Sequence, residues 1–132
     1  MDVTEAEFYD QTRVAVLPMG FCFPGLNAQG GDRPPRPECA PAWRRAILEA
    51  MPQVELVLAI GLYAQRWHLG REAAQGLSAT VRRYEELLAA PTLPRCLPLP
   101  HSSWRNNAWL KANPWFDREV VPALRRSVRQ LI

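Results

Sequence analysis

The chain has 132 residues, of which 48% are hydrophobic and 22% charged, so a single soluble domain with a modest core is predicted over residues 1–132. The longest apolar run, Val54–Leu62, is too short to cross a bilayer, and no secretory leader is visible. Three cysteines without an export signal argue against a disulfide framework, so a cytoplasmic location is expected. The net charge of +3 permits an anionic partner, but a solvated surface explains it equally well.

The first predicted elements precede a long loop. Thr4 and Glu7 have the capping-box spacing at the start of a helical turn. Val14–Leu17 is predicted to be a short buried strand that Pro18 ends. Residues 19–37 are rich in glycine and proline and predict a loop without periodicity, of a length that in compact domains is usually functional or disordered.

A helix is predicted next, with Pro41 in its first turn and Pro52 at its end. Its apolar residues share one face, and most of its charged residues lie off that face. The apolar face carries Trp43, Ile47, Ala50 and Met51, whereas Arg44, Arg45 and Glu49 lie off it. The apolar run Val54–Ile60 is then typical of a strand buried on both faces. Gly61 ends this strand, and a short helix is expected over Leu62–Leu69.

The next predicted helix leads to a third strand. Ser78 is predicted to cap the helix, whose apolar side carries four residues. These are Val81, Tyr84, Leu87 and Leu88. Arg95–Leu99 is the third predicted strand, and it is placed at a sheet edge or near its end because Pro94 and Pro98 weaken its pairing.

The last predicted helix begins with Asn113 as its cap and Pro114 at its first position. Its apolar stripe consists of Phe116, Val120, Leu124, Val128 and Leu131. Pro122 removes one helical hydrogen bond, which predicts a kink or two abutting helices. Trp109 and Trp115, near helix starts, are predicted to lie in the core.

Strands that alternate with helices predict an α/β fold with a mainly parallel central sheet. Such sheets bind ligands beyond the carboxyl ends of their strands, where the loops after Leu17 and Leu99 would open. The second loop lies within Leu97–Phe116, which holds a lone histidine, two serines, an Arg-Asn-Asn cluster and three tryptophans. This mixture is poor core and poor linker sequence, so the segment is a candidate ligand loop.

Four segments carry a resemblance to a known family. They are Val14–Arg36, the Arg-Pro-Glu-Cys-Ala-Pro segment 36–41, Leu56–Gly61 and Pro100–Ser103. Together they resemble the uracil-DNA glycosylase superfamily, in particular its bacterial iron–sulfur branch and the related uracil-DNA glycosylase family proteins. The resemblance covers essentially the whole chain, and its most distinctive parts are residues 31–39 and the Asn-Pro-Trp-Phe segment 113–116. It implies a three-layer α/β/α sandwich that here lacks the first strand.

The resemblance implies base excision repair of DNA, in which uracil is flipped out of the duplex and its N-glycosidic bond is cleaved. Departure of the base places negative charge on the uracil ring. His101 matches the histidine that would donate a hydrogen bond to that charge, and it is the candidate catalytic residue. Without the resemblance, a loop histidine held by backbone carbonyls would be the more common situation.

The residues after His101 are candidates for DNA contacts. Ser102 replaces the proline of the family's His-Pro-Ser pattern, and Ser103 matches its serine. Their hydroxyl and N–H groups would hold phosphates, with helix capping as the alternative. Trp104 and Arg105 occupy the place where the superfamily pushes a wedge into the duplex. For Trp104, wedge and core packing are equally weighted.

Cys22 and Cys39 lie where the iron–sulfur branch carries its second pair of cluster ligands. A cluster needs four thiolates, and the sequence contains no Cys-x-x-Cys pair. We therefore expect this chain to hold no cofactor and its cysteines to be free thiols. A 4Fe–4S cluster is expected only in a longer form of the protein that supplies two further cysteines. Cys96 has no counterpart in the branch and is predicted to be a buried strand cysteine.

Two departures from the family affect the expected activity. Its first motif, a Gly-rich loop that positions or activates the attacking water, has no match here, so Met1 is expected to be an internal methionine of a longer protein. Pro18 stands about where the iron–sulfur branch has an asparagine that reads the uracil edge. Gly20, Phe21 and Phe23 are the candidates to bind the base instead.

Two functions of different classes stay open. One is a uracil-DNA glycosylase, of which this chain alone is expected to be inactive because the water-handling motif is missing. The other is a non-catalytic DNA-binding remnant of the same fold. A third, weaker alternative is an unrelated α/β fold that binds a small anion. The expected partner is DNA with uracil or another damaged base, and a missing central strand predicts self-association through the exposed sheet edge.

Overall fold

A computed structural model of the protein describes residues 1–132 except for the side chain of Arg105. The chain divides into two compact units. Unit 1 consists of Met1–Val14 and Glu55–Ile132, and unit 2 consists of Ala15–Val54. In the described part of the chain, no helix combines the length and the apolar character needed to cross a bilayer.

The secondary structure follows the predicted order of helices and strands, except that the first predicted strand is absent. The α-helices are α1 (Glu5–Phe8), α2 (Arg45–Glu49), α3 (Leu62–Leu69), α4 (Leu77–Arg82), α5 (Tyr84–Ala89), α6 (Asn107–Ala112) and α7 (Val121–Arg129). The strands are β1 (Leu56–Ile60) and β2 (Arg95–Leu99). Short 3-10 turns cover Gly70–Ala73 and Trp104–Asn106, and π-type turns cover Ala40–Arg44 and Phe116–Val120. Only α2 and the π-type turn before it belong to unit 2.

The sheet of unit 1 is a parallel pair of strands. Leu56 lies opposite Arg95, and the register continues to Ile60 opposite Leu99. This confirms the second and third of the three predicted strands and the mixed α/β class, with a sheet of two strands. The three-layer sandwich stays a prediction. β2 is the more buried strand, since its last three residues are buried whereas β1 ends on the exposed Ile60. The composition of β1 predicts burial on both faces along its whole length, but the strand is only partly buried.

The core of unit 1 lies between this sheet and the helices that follow each strand. The predicted apolar stripe of the last helix is confirmed for four of its five residues: Phe116, Val120, Leu124 and Val128 are buried, whereas Leu131 is half-buried. Trp115 is also buried, and its ring meets those of Trp109 and Phe116 edge-on. The π-type turn Phe116–Val120 runs directly into α7, which confirms the prediction of abutting helical segments near Pro122.

Two predicted helix caps in unit 1 are wrong. Gly76 precedes α4, and the Ser78 hydroxyl inside the helix instead accepts a hydrogen bond from Trp109 Nε1 at 2.8 Å. The Asn113 side chain donates to the Trp109 carbonyl and accepts from Trp115 Nε1, at 2.7 and 3.0 Å. In both places the N–H of a buried or half-buried indole needs a hydrogen-bond acceptor. The Ser78 and Asn113 side chains serve as these acceptors and therefore do not cap the helices, although their local spacing predicts caps.

The capping box of α1 is confirmed. The Thr4 hydroxyl accepts from the Glu7 N–H, and the Glu7 carboxylate accepts from the Thr4 N–H. Glu7 also pairs with Arg129 of α7 at 2.8 Å. The hydrogen bonds from the Thr4 backbone and hydroxyl, followed by the bond from Arg129, hold the pKa of the Glu7 carboxyl below its usual value. The ion pair therefore ties the first segment of unit 1 to its last helix.

The predicted strand Val14–Leu17 is wrong. The segment has no regular secondary structure, and Val16 is 77% exposed. Within unit 2, the carbonyls of Leu17 and Pro18 each accept a hydrogen bond of 2.8 Å from Arg44 Nη1. An arginine side chain thus satisfies backbone groups that a neighbouring strand would satisfy in a sheet. Because Val14–Leu17 is not a strand, the loop after Leu17 cannot be placed at the carboxyl edge of the sheet in the way that the sequence predicts.

The helix of unit 2 is confirmed, but its buried face was mispredicted. The apolar spacing predicts Trp43 in the core and Arg44 outside it, but Arg44 is only 3% exposed and Trp43 is 56% exposed. Both residues lie in the π-type turn Ala40–Arg44, whose wider hydrogen-bond spacing shifts side chains away from their α-helical directions. Burial of the Arg44 guanidinium lowers its pKa, and its bonds to two carbonyls offset part of that cost.

Replacement of Arg44 tests this arrangement. We expect Arg44→Met to lower the free energy of unfolding by about 1.5–3 kcal/mol, because two carbonyls lose a charged donor. The matched variant Arg45→Met changes an exposed side chain of the same helix and should stay within about 0.5 kcal/mol of the wild type. Chemical denaturation measures both, and equal effects of the two variants would contradict the assigned role of Arg44.

Candidate functional site

The candidate site lies at the edge where both strands of unit 1 end. β1 and β2 are parallel, so Gly61 and the Pro100–Ser103 segment leave the sheet side by side. The Gly61 N–H donates to the Leu99 carbonyl at 2.9 Å and continues the ladder by one bond. This is the edge at which open parallel sheets carry their ligand sites.

His101 packs directly against Gly61. Gly61 has a φ of +82°, a conformation that L-residues with a side chain rarely adopt. A Cβ at this position would lie 3.3 Å from both Cβ and Cδ2 of His101. The glycine therefore serves two needs at once, because it allows the turn from β1 into α3 and it leaves room for the imidazole.

The hydrogen bonds of His101 select one neutral tautomer. The Ser103 N–H donates to His101 Nδ1 at 3.2 Å. Since a backbone N–H only donates, Nδ1 must accept, and the proton of the neutral ring then lies on Nε2. His101 is exposed. The loop thus presents an imidazole N–H donor at the carboxyl edge of the sheet.

Asn106 closes the loop that holds His101. Its side-chain amide donates to the His101 carbonyl, and its own N–H donates to the Ser103 carbonyl at 2.9 Å. Asn106 was part of the polar cluster seen in the sequence, but no role was assigned to it. The available signal was its residue type, because asparagine side chains often bond to backbone groups a few residues away.

Gln65 is a second residue of the site that sequence reasoning missed. It lies one turn into α3 and is fully buried. Its Nε2 donates to the Leu99 carbonyl at 2.9 Å, and its own N–H donates to the Gly61 carbonyl at 3.1 Å. The signal in the sequence was a glutamine in a short helix directly after a buried strand.

The candidate DNA contacts are next to His101 in space as in sequence. Ser102 is exposed, and Ser103 is half-buried with its N–H engaged by His101. Trp104 is 75% exposed, so the core-packing alternative for this residue fails, whereas Trp115 is confirmed as core. The side chain of Arg105 lies outside the described residues. The phosphate and wedge roles stay predictions.

The candidate base-binding residues belong to unit 2, whereas His101 belongs to unit 1. Gly20 packs closely on Pro35, since a Cβ on the glycine would lie 3.2 Å from the proline Cβ. Phe21 and Phe23 are 41% and 69% exposed. Their contact with a base stays a prediction.

Cys22 and Cys39 do not form a cluster site with the described residues. Cys22 is exposed and Cys39 is buried, both within unit 2. No group of three or more histidine, cysteine, aspartate or glutamate residues comes together as a metal site among the side chains that the structure describes. Two thiols supply only half of the ligands that a 4Fe–4S cluster requires, so the described residues do not fit this group.

Cys96 lies in β2 and is half-buried rather than fully buried. Burial raises the pKa of its thiol to about 11, and the negative charge of Glu72 adds to the increase. At neutral pH this side chain is therefore a thiol and a poor nucleophile.

Comparison with known families gives one match to nearly the whole chain. A family model described as "Uracil DNA glycosylase superfamily" matches residues 2–125. The matched range contains β1, β2 and the loop that carries His101. This excludes the alternative of an unrelated α/β fold with a site for a small anion.

Thiol titration tests the placement of the three cysteines. At pH 8 we expect Cys22 to react first with a disulfide reagent, while Cys96 reacts slowly because only roughly 0.1% of it is thiolate. Cys22→Ser should remove the fast phase, and the control Cys96→Ser should keep it. The rate at Cys96 should rise with pH up to about pH 11. A fast phase that survives in Cys22→Ser would contradict this order.

Proposed function

This chain belongs to the uracil DNA glycosylase superfamily, and we propose that it provides leaving-group stabilisation in the excision of uracil from DNA. Membership implies the fold of the superfamily and a DNA substrate. The observation that supports the specific proposal is the hydrogen bond from the Ser103 N–H to His101 Nδ1. It commits the neutral imidazole to an Nε2–H donor on an exposed loop.

The chemistry needs such a donor. When the bond between the sugar C1′ and uracil N1 breaks, its electron pair stays with the base, and the negative charge spreads onto the ring carbonyl oxygens. A pre-oriented N–H aimed at such an oxygen stabilises the transition state more than the ground state, and loss of one donor of this kind typically costs about 10²–10³ in rate. We assign this role to His101. Water then forms a bond to the sugar C1′, and the proton that it releases neutralises the uracil anion, so that the products are free uracil and an abasic sugar.

Base flipping must precede cleavage, because the reacting bond is inaccessible within the stacked duplex. We propose that Trp104, at the start of the 3-10 turn after His101, enters the duplex as a wedge. Its high exposure supports this assignment. Phosphate contacts are proposed for Ser102 and Ser103 and for Arg105, while Gly20, Phe21 and Phe23 are proposed to contact the base.

Recognition and turnover are separable in this chain. The sequence has no match to the Gly-rich motif that handles water in the superfamily, so we propose that residues 1–132 alone bind uracil DNA without measurable release of the base. The test of His101 therefore uses a mimic of the transition state. An abasic site with a cationic pyrrolidine in place of the sugar imitates the developing positive charge, and free uracil supplies the leaving group.

We expect free uracil to tighten binding of the chain to DNA that carries this pyrrolidine. His101→Ala should reduce the gain about 10- to 100-fold, because the donor to the uracil oxygen is lost. His68→Ala is the matched control, since it removes the other histidine of the chain, and it should keep the gain. Fluorescence anisotropy measures the affinity of each of the three proteins with and without uracil. Binding that ignores uracil would favour the non-catalytic DNA-binding alternative.

A flipping assay tests Trp104. A 2-aminopurine next to uracil should brighten when the wild-type chain binds, because the neighbouring base leaves the stack. Trp104→Ala should lose most of this increase and bind duplex DNA more weakly, by about 1–3 kcal/mol as for lost stacking. Trp43→Ala removes another exposed indole and should behave like the wild type. An unchanged signal in Trp104→Ala would refute the wedge.

A further inference from the structure

A buried amide at the end of the sheet has no part in the proposed chemistry. Gln65 is 0% exposed. Its Nε2 is bonded to the Leu99 carbonyl, but its Oε1 accepts no hydrogen bond from any residue that the structure describes. A buried amide that is only half paired costs stability. A methionine of similar length would avoid that cost, so stability does not explain a glutamine here.

The hydrogen bonds of Gln65 join the ends of both strands. The Leu99 carbonyl accepts from Gln65 Nε2 and from the Gly61 N–H, both at 2.9 Å. The Gln65 N–H donates in turn to the Gly61 carbonyl at 3.1 Å. These three bonds link Gly61, Gln65 and Leu99 in a closed ring. The end of β2 is thereby held at a fixed distance from the start of α3.

His101 follows this ring closely. Only Pro100 separates it from Leu99, and proline restricts the backbone between them. On the other side, His101 Cβ and Cδ2 lie against Gly61, whose missing Cβ would sit 3.3 Å from each. A shift of Leu99 relative to Gly61 would therefore change the position of the imidazole next to Gly61.

We propose that Gln65 is a positioning residue, which fixes the direction of the His101 Nε2–H by holding the end of β2 against Gly61. The inference rests on the proposed function for its chemical meaning, and on the hydrogen bonds of Gly61, Gln65 and Leu99 for its geometry. Gln65 acts through the backbone and does not touch the base.

Gln65→Met separates positioning from stability. The Leu99 carbonyl keeps its bond from the Gly61 N–H, and the unpaired Oε1 disappears, so the denaturation midpoint should stay close to that of the wild type. The imidazole should nevertheless lose its fixed orientation. Gln75→Met is the control, because it makes the same substitution at an exposed position. A large loss of stability in Gln65→Met would show a structural role and overturn the proposal.

The direct measurement is the nitrogen NMR spectrum of the His101 ring in the full chain, recorded at pH 8.5 without DNA. The wild type and Gln75→Met should show mainly the Nε2–H tautomer. Gln65→Met should show a mixture of both tautomers and a displaced Ser103 amide signal. Gly61→Ala, whose new Cβ would press on the ring, supplies the reference for a displaced imidazole. Wild-type ring signals in Gln65→Met would overturn the proposal.

Binding of pyrrolidine-containing DNA with free uracil gives the functional measurement. Gln65→Met should lose about 10- to 100-fold of the tightening by uracil, as expected for a small misplacement of a catalytic group. If uracil does not tighten binding of the wild type, the proposed function is wrong. The NMR spectrum of the His101 ring then still tests whether Gln65 positions the imidazole. If uracil tightens binding of the wild type and of Gln65→Met equally, Gln65 is not a positioning residue.

Discussion

The position of the His101 loop in unit 1 depends on the hydrogen bonds to the Leu99 carbonyl at the end of β2. This carbonyl accepts one hydrogen bond from the backbone of Gly61 and one from the side chain of Gln65. A parallel pair of strands has no hairpin to fix its ends, since each strand is connected through a distant crossover. The two bonds at Leu99 supply that missing constraint. They determine where β2 stops and therefore where His101 begins.

The loop beyond Leu99 orders itself with short-range bonds. His101 receives the Ser103 N–H on its ring and the Asn106 amide on its carbonyl. Neither bond uses Nε2, so the groups that orient the histidine are separate from the atom proposed to donate to the base. Pre-organisation of this kind is what a donor to a developing charge requires, because the donor then needs no rearrangement at the moment of reaction.

The sequence predicted features that depend on local periodicity. The stripe from Phe116 to Val128 and the two strands follow directly from the spacing of apolar residues. The position of His101 beyond β2 followed from the order of strands. The buried face of the unit 2 helix could not be predicted in the same way, because a π-type turn changes the angle between successive residues and exchanges Trp43 with Arg44.

Other features depend on partners that are far away in sequence. Val14–Leu17 has strand-like composition, but a strand requires a neighbour, and here Arg44 takes the carbonyls of Leu17 and Pro18. Gln65 bonds a carbonyl 34 residues away, so the local sequence could single out this residue but not identify its partner. Resemblance to a family identified His101, whereas the groups that hold it in place emerged only from the three-dimensional contacts.

The ion pair between Glu7 and Arg129 has a consequence for the synthesis of the chain. Its partners are 122 residues apart, and both are partly exposed, so the pair adds little free energy by itself. During translation, the helical turn around Glu7 leaves the ribosome long before its partner exists. The ion pair can therefore form only after Arg129 has been synthesised, whereas unit 2 is continuous in sequence and is complete at Val54.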